Sequence, residues 1–193
     1  MRIISGIHKG RRLNPPANLS VRPTTDMARE ALFSILYTTY EFADLRVLDL
    51  FCGTGALSFE FISRGSEDVT AIDSNIRCIE FIKKTATDWK VEGLHAFKAD
   101  VFKFLQNQSR PWDIIFADPP YLMKESLLLP AMVRENKLLA PGGRLIIEHP
   151  SEIHFSDQEG FIEKRSYSRV QFSFFTFEEK PADATSAKED LPL

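Results

Sequence analysis

From Leu45 onward the chain alternates short, continuous apolar runs with amphipathic stretches, and this rhythm limits the fold more than any other feature. Residues 47–51, 69–72, 94–98, 113–117 and 144–148 read as strands, and residues 56–64, 75–89, 101–106 and 125–136 as helices. Strictly alternating strands and helices make an α/β sandwich on a mostly parallel sheet. Such strands are covered on both faces, so they appear as unbroken apolar runs rather than every-other-residue patterns. Crossovers between them are right-handed. Residues 160–165 and 171–177 read as two closing strands. Ahead of the alternation, residues 26–40 predict a helix with Ala28, Ala31, Leu32, Ile35 and Leu36 on its apolar stripe and Thr24, Thr25 and Asp26 as caps. Arg2–Ser5 and Arg11–Leu13, around Gly6 and Lys9-Gly10, read as a β-hairpin. The expected organisation is a basic N-terminal hairpin arm over 1–25, an α/β domain over 26–178 and an acidic, flexible tail over 179–193.

A chain of 193 residues with 44% hydrophobic and 26% charged residues buries a full core without staples. No apolar run reaches the roughly 18 residues a membrane span requires. There is no leader-like segment at the start, and Cys52 and Cys78 are too few for a disulfide framework or a zinc site. A reduced, cytoplasmic setting is expected, with no metal and no membrane.

Net charge is −3, but it is unevenly placed. Residues 1–25 carry Arg2, Lys9, Arg11, Arg12 and Arg22 and no acid, whereas residues 178–193 carry five acids against Lys180 and Lys188. The basic segment suits phosphate contact; an edge hairpin protected by solvated cations is the competing reading. The tail, with Pro181, Pro192 and no periodicity, predicts disorder after about Lys180.

Asp49-Leu50-Phe51-Cys52-Gly53-Thr54-Gly55 lies where the first strand turns into a helix. Gly53 and Gly55 allow a tight turn and close ligand approach. A dinucleotide fingerprint would have a third glycine at position 58, which is Ser58. Asp73 ends the second strand, 20 residues after Gly53, where it can accept ribose hydroxyls; Asp100 ends the third, where it can accept an adenine amine. A carboxylate at Asp49, beside the turn, suits a cationic ligand better than a pyrophosphate. S-adenosyl-L-methionine, with its sulfonium and ammonium groups, therefore fits better than NAD. Cys52 reads as a small filler.

Asp118-Pro119-Pro120-Tyr121 follows the fourth strand directly. Two prolines fix the backbone and remove two donors. Asp118 can accept one N–H of a nucleobase amine and the Pro119 carbonyl the other, holding a poor nucleophile in position. Tyr121 can stack on the base. Asp118 can serve as acceptor alone or as general base. The base must be unpaired or flipped out.

DLFCGTGAL (49–57) with DPPY (118–121) resembles class I S-adenosylmethionine-dependent amino methyltransferases. MRIISGIHKGRRL (1–13) and RPTTDMAREALFSIL (22–36) narrow the resemblance to the RsmD family, bacterial enzymes acting on guanine N2 of small-subunit (16S) ribosomal RNA, over residues 1 to about 177. The resemblance implies a Rossmann-like methyltransferase sandwich: a mostly parallel seven-stranded sheet with an antiparallel C-terminal hairpin, preceded by the hairpin arm and helix. It implies that Asp49, Phe51, Gly53 and Gly55 shape the cofactor turn, Asp73 holds the ribose, and Asp100 and Val101 border the adenine. Arg11, Arg12, Arg22 and Arg29 would meet RNA or close over the cofactor. The implied partner is ribosomal RNA or the small ribosomal subunit, met by a monomer. FCGTG replaces the family's more usual FAGSG, and Tyr167-Ser168-Arg169 stands where a Tyr-Gly pair is common. The alternatives are a DNA adenine-N6 or cytosine-N4 methyltransferase, for which no target-recognition insert is visible, a NAD-dependent oxidoreductase, and a non-catalytic RNA-binding module.

Overall fold

The computed structural model describes residues 1–16, 19, 26–121, 123–167 and 170–177. Arg22, Thr24, Thr25, Ser168, Arg169 and the expected tail lie outside the described residues. The elements are α1 (Asp26–Tyr37), β1 (Arg46–Leu50), α2 (Ala56–Ser63), β2 (Asp68–Asp73), α3 (Ile76–Trp89), β3 (Leu94–Lys98), α4 (Val101–Gln106), β4 (Trp112–Ala117), α5 (Leu129–Glu135), β5 (Leu139–His149), β6 (Phe161–Tyr167) and β7 (Val170–Phe175).

They build one seven-stranded sheet in the order β3-β2-β1-β4-β5-β7-β6. The strands β3, β2, β1, β4 and β5 run parallel, and β7 pairs antiparallel with both β5 and β6. Because β2 and β3 extend the sheet on one side of β1 and β4 and β5 on the other, the chain direction across the sheet reverses between β1 and β4. A crevice opens beyond the carboxyl ends of these two strands, and ligands of open α/β sheets bind there.

Both faces are covered, as the continuous apolar runs require. On one face Val47, Ile114, Phe116, Ile146, Phe172 and Phe174 pack under Leu32, Phe33 and Leu36 of α1 and Phe61 of α2. On the other, Leu48, Leu50, Ile115, Ala117, Leu145 and Ile147 meet Leu105 of α4 and Leu129 and Val133 of α5. The helix expected over 125–136 divides into a 3-10 turn (Lys124–Leu128) and α5. The reason is Pro130, which lacks an N–H and is accommodated only in the first turn of a helix.

The N-terminal segment forms the expected short hairpin, docked onto the domain: around the antiparallel Arg2–Arg12 bridge, Leu13 N–H donates to the Met1 carbonyl at 3.0 Å, Ile3 N–H to the Arg11 carbonyl at 2.9 Å and Gly10 N–H to the Ile3 carbonyl at 2.9 Å. The amides that would extend a ladder are taken elsewhere: Ile4 N–H donates to Glu60 Oε2 at 2.8 Å and Ser5 N–H to Glu60 Oε1 at 3.1 Å. Arg64 Nε also donates to Glu60, at 2.9 Å. Ile3 and Leu13 are buried against Phe59 of α2 and Ile79 and Ile82 of α3. All eight residues of α2 are consequently buried, including Ser58, Glu60 and Ser63. Gly6 is fixed by this docking: at φ 80° its missing Cβ would lie 1.6 Å from the Ser63 carbonyl oxygen.

Candidate active site

The turn after β1 is built from left-handed backbone. Phe51, Gly53 and Gly55 have φ of 58°, 52° and 74°. The conformation costs glycine little and strains Phe51. The Phe51 ring meets Phe102 edge-on at 6.2 Å. Gly55 caps α2, and a Cβ there would press on Ile82 at 2.8 Å. The turn is tied to β2: Cys52 N–H donates to the Ile72 carbonyl at 3.0 Å and Gly53 N–H to Asp73 Oδ2 at 2.9 Å. Asn75 N–H reaches the other Asp73 oxygen at 2.8 Å, so that carboxylate is set in one orientation at the strand end.

Asp49 is only 2% exposed. Its Oδ2 accepts the Ser58 amide at 3.2 Å and the Ser58 hydroxyl at 2.5 Å. Burial pushes its carboxyl up to about 7, while the Ser58 bonds oppose that rise. Burial, with Asp49 and Asp73 nearby, drives the Cys52 thiol well above its ordinary range, so it is an inert filler.

Directly across from the turn lies the proline corner after β4. Asp118 N–H donates to the Leu50 carbonyl at 3.3 Å, which joins the corner to the end of β1. Asp118 is half-buried, Pro119 buried, and Pro120 and Tyr121 exposed. The Tyr121 hydroxyl donates to Glu152 at 3.2 Å. A cavity of about 370 Å³ joins both features: Asp49, Gly53 and Asp73 line it together with Asp118, Pro119 and Tyr121. Clefts holding small ligands run from about 300 to 1,000 Å³.

The other expected residues fall elsewhere. Asp100 is exposed and caps α4, accepting the Lys103 amide at 2.9 Å; Val101, the first residue of α4, is buried in the core. The Asp73 carbonyl accepts Ala99 N–H at 3.0 Å, which brings their strand end beside Asp73. Arg11 and Arg12 are exposed, and the Arg11 guanidinium lies 5.2 Å from the Trp89 ring centre. Arg29 requires correction as an RNA-contacting residue, because its side chain is fully buried. Its Nη2 donates to the Arg2 carbonyl at 2.9 Å and to Asp26 at 2.6 Å, bracing the N-terminal segment on α1.

Glu148 and His149, at the end of β5, also line the cavity. His149 Nδ1 donates to the Pro150 carbonyl at 2.9 Å, which leaves Nε2 to accept the Ser173 hydroxyl at 2.7 Å. Burial lowers its pKa, in keeping with that neutral form. Sequence reasoning missed both residues. The available signal was positional: Glu148 closes a parallel strand on the same side of the sheet as Asp49, Asp73 and Asp118.

Comparison with known proteins places these features in a family. A family model described as "Conserved hypothetical protein 95" matches residues 1–176. Ribosomal RNA small subunit methyltransferase D of Escherichia coli K12 is 32% identical over 155 residues, 79% of this chain and 76% of its own. A hypothetical protein of Thermus thermophilus, known from its solved structure, superposes with a TM-score of 0.78 at 26% identity, over 91% of this chain and 98% of that one. A SAM-dependent methyltransferase from Agrobacterium tumefaciens shares the fold alone, with a TM-score of 0.58 at 21% identity over 78% of this chain and 62% of that one.

Proposed function

The chain belongs to the family of ribosomal RNA small subunit methyltransferase D, the RsmD family, and from that premise we propose that it methylates the exocyclic N2 amine of a guanine in small-subunit ribosomal RNA, with S-adenosyl-L-methionine as donor. The observation that carries the reading is the shared cavity: the glycine turn and the Asp118-Pro119-Pro120-Tyr121 corner open into one space. A donor and an acceptor held in these two places would meet without moving either element.

The residues present fit this donor. Asp73, anchored by Gly53 and Asn75, offers ribose hydroxyls an oriented pair of acceptors. Asp49 is a buried carboxyl whose ionised form a cationic ligand would favour. When bound, S-adenosylmethionine supplies an electrophilic methyl group attached to a sulfonium. Asp118 and the Pro119 carbonyl accept the two N–H bonds of the target amine and aim its nitrogen into the cavity. The stiff diproline backbone holds these acceptors without reorganisation. Tyr121 presents an exposed ring on which an unstacked base can lie, a contact worth roughly 1–3 kcal/mol. The amine needs no strong base, because its proton becomes acidic once the nitrogen is alkylated.

Lys9, Arg11 and Arg12 form an exposed basic rim for the RNA backbone, and the enzyme works as a cytoplasmic monomer. Among the described residues no helix is long and apolar enough to cross a membrane. The test supplies radiolabelled S-adenosylmethionine with free ribosomal RNA, with small subunits from a strain lacking the enzyme, or with duplex DNA. Label recovered as N2-methylguanosine from either RNA acceptor is the expected result. Label in DNA, or on another base, overturns the reading.

A further inference from the structure

We propose that Glu148 reads the N1–H of the target guanine and so selects the base; this deepens the function proposed above and rests on it. The placement follows from strand register. In the parallel pairing of β4 with β5, Ala117 stands opposite Ile147, so the next positions, Asp118 and Glu148, are neighbours at adjacent strand ends. Side chains alternate faces along a strand. Phe116 and Ile146 belong to the core on one face, with Val47 of β1. Ala117 and Ile147 belong to the other, with Leu48 and Leu50. Continuing the alternation puts Asp49, Asp118 and Glu148 on the same face, and all three line the one cavity. Neighbouring strands are about 4.8 Å apart, close enough for side chains at two adjacent strand ends to converge on one base edge.

The position is stiff. Glu148 is 8% exposed and faces Phe172 of β7 in the ladder. The next residue, His149, is pinned by its bonds to the Pro150 carbonyl and the Ser173 hydroxyl. A site held this firmly can discriminate by hydrogen bonding, since a mismatched partner leaves buried polar groups unpaired.

What it would discriminate follows from the bases. Beside its amine, guanine presents N1–H, a donor. Beside theirs, adenine presents N1 and cytosine N3, both acceptors. A carboxylate next to the amine-holding Asp118 accepts from guanine and opposes the lone pair of the other two. Two adjacent acids therefore match an amine flanked by a second donor, and among the ordinary bases guanine alone has that edge.

The test replaces the modified guanine, once mapped in the RNA acceptor, with 2-aminopurine, which keeps the 2-amine but has an unprotonated N1. For the wild-type enzyme, kcat/KM on the 2-aminopurine RNA is expected to fall by about 100-fold, the order of one missing charge-assisted hydrogen bond and one group left unpaired. Glu148→Gln, whose amide can donate to that N1, is expected to shrink the ratio to within about tenfold by slowing the guanine reaction, with the donor dissociation constant unchanged by calorimetry. Equal wild-type rates on the two RNAs overturn the proposal without any variant. An unchanged ratio in Glu148→Gln also overturns it, and a weakened donor affinity would reassign Glu148 to the donor's ammonium group. If wild-type enzyme methylates no guanine in ribosomal RNA, the underlying function fails first and this assignment with it.

Discussion

The Ser58 hydroxyl sits 2.5 Å from Asp49 Oδ2, and the Ser58 amide donates to the same oxygen at 3.2 Å. A residue that departs from the dinucleotide glycine pattern is thus the support of the buried acid beside the glycine turn. Position 58 gives up the close helix–strand approach of a glycine and gains a fixed carboxylate.

Removing that support should weaken the donor site. Ser58→Ala deletes the hydroxyl bond, keeps the amide bond, and allows the Asp49 carboxyl to rise further. Affinity for S-adenosylmethionine at neutral pH is expected to drop about tenfold, the scale of one hydrogen bond to a charged group. Isothermal titration checks it, and unchanged affinity would show that Asp49 does not meet the donor's positive charge.

The same acid predicts a pH dependence. Folding raises its carboxyl from 3.8 to about 7, so between those values the folded state holds a proton that the unfolded chain has released. Stability contributed by this group is therefore present at low pH and lost as pH rises through that window. Donor binding goes the other way, because a cation needs the ionised form. Affinity should climb as pH passes through about 7 and then level off, and Asp49→Asn should bind weakly with a flat profile. A titration series on both proteins decides it.

Asp118→Ala should cut turnover by at least roughly 100-fold while leaving donor affinity within about twofold, if its carboxylate holds the target amine as proposed. Single-turnover transfer and calorimetry on the same preparation separate the two effects. Near-normal turnover would remove Asp118 from the reaction.

Arg11→Gln with Arg12→Gln should weaken RNA binding and flatten its dependence on salt, by about 0.7–0.9 in log–log slope for each phosphate no longer neutralised. Both side chains are exposed, and the stacking of Arg11 on Trp89 is worth under about 1 kcal/mol, so the fold should survive the exchange. Filter binding across a salt series gives the slope. An unaltered slope returns these arginines to the role of solvated edge residues.

Gly6→Ala places a methyl group where the Ser63 carbonyl oxygen already lies, 1.6 Å away, on backbone at φ 80°. The turn must lift from α2. A loss of about 2 kcal/mol or more is expected, a fall on the order of 5 °C in melting temperature. A thermal melt measures it.

The parts of this molecule that sequence alone reveals are those dictated by local chemistry. The β1 turn needs glycines at 53 and 55, the diproline stop ends β4, and buried parallel strands must be continuous apolar runs. Residues acting across long separations were hidden. Glu60 looks like any solvated acid on a helix, yet it is fully buried because residues 3–13 cover the outer side of α2. Arg29 looks like a surface cation, although its spacing to Phe33 and Leu36 matches the buried stripe of α1. Glu148 was in plain view at a strand end, but only the register with β4 brings it beside Asp118.

The grip of Glu60 on the Ile4 and Ser5 amides has a practical consequence for anyone dissecting this enzyme. A truncated protein starting after Leu13 would leave the Glu60 carboxyl group facing a stripped hydrophobic surface, with Arg64 as its remaining counterpart. Poor RNA capture by such a fragment would report collapse of α2 as readily as missing arginines. Dissection therefore has to proceed by single side-chain exchange within an intact leading segment.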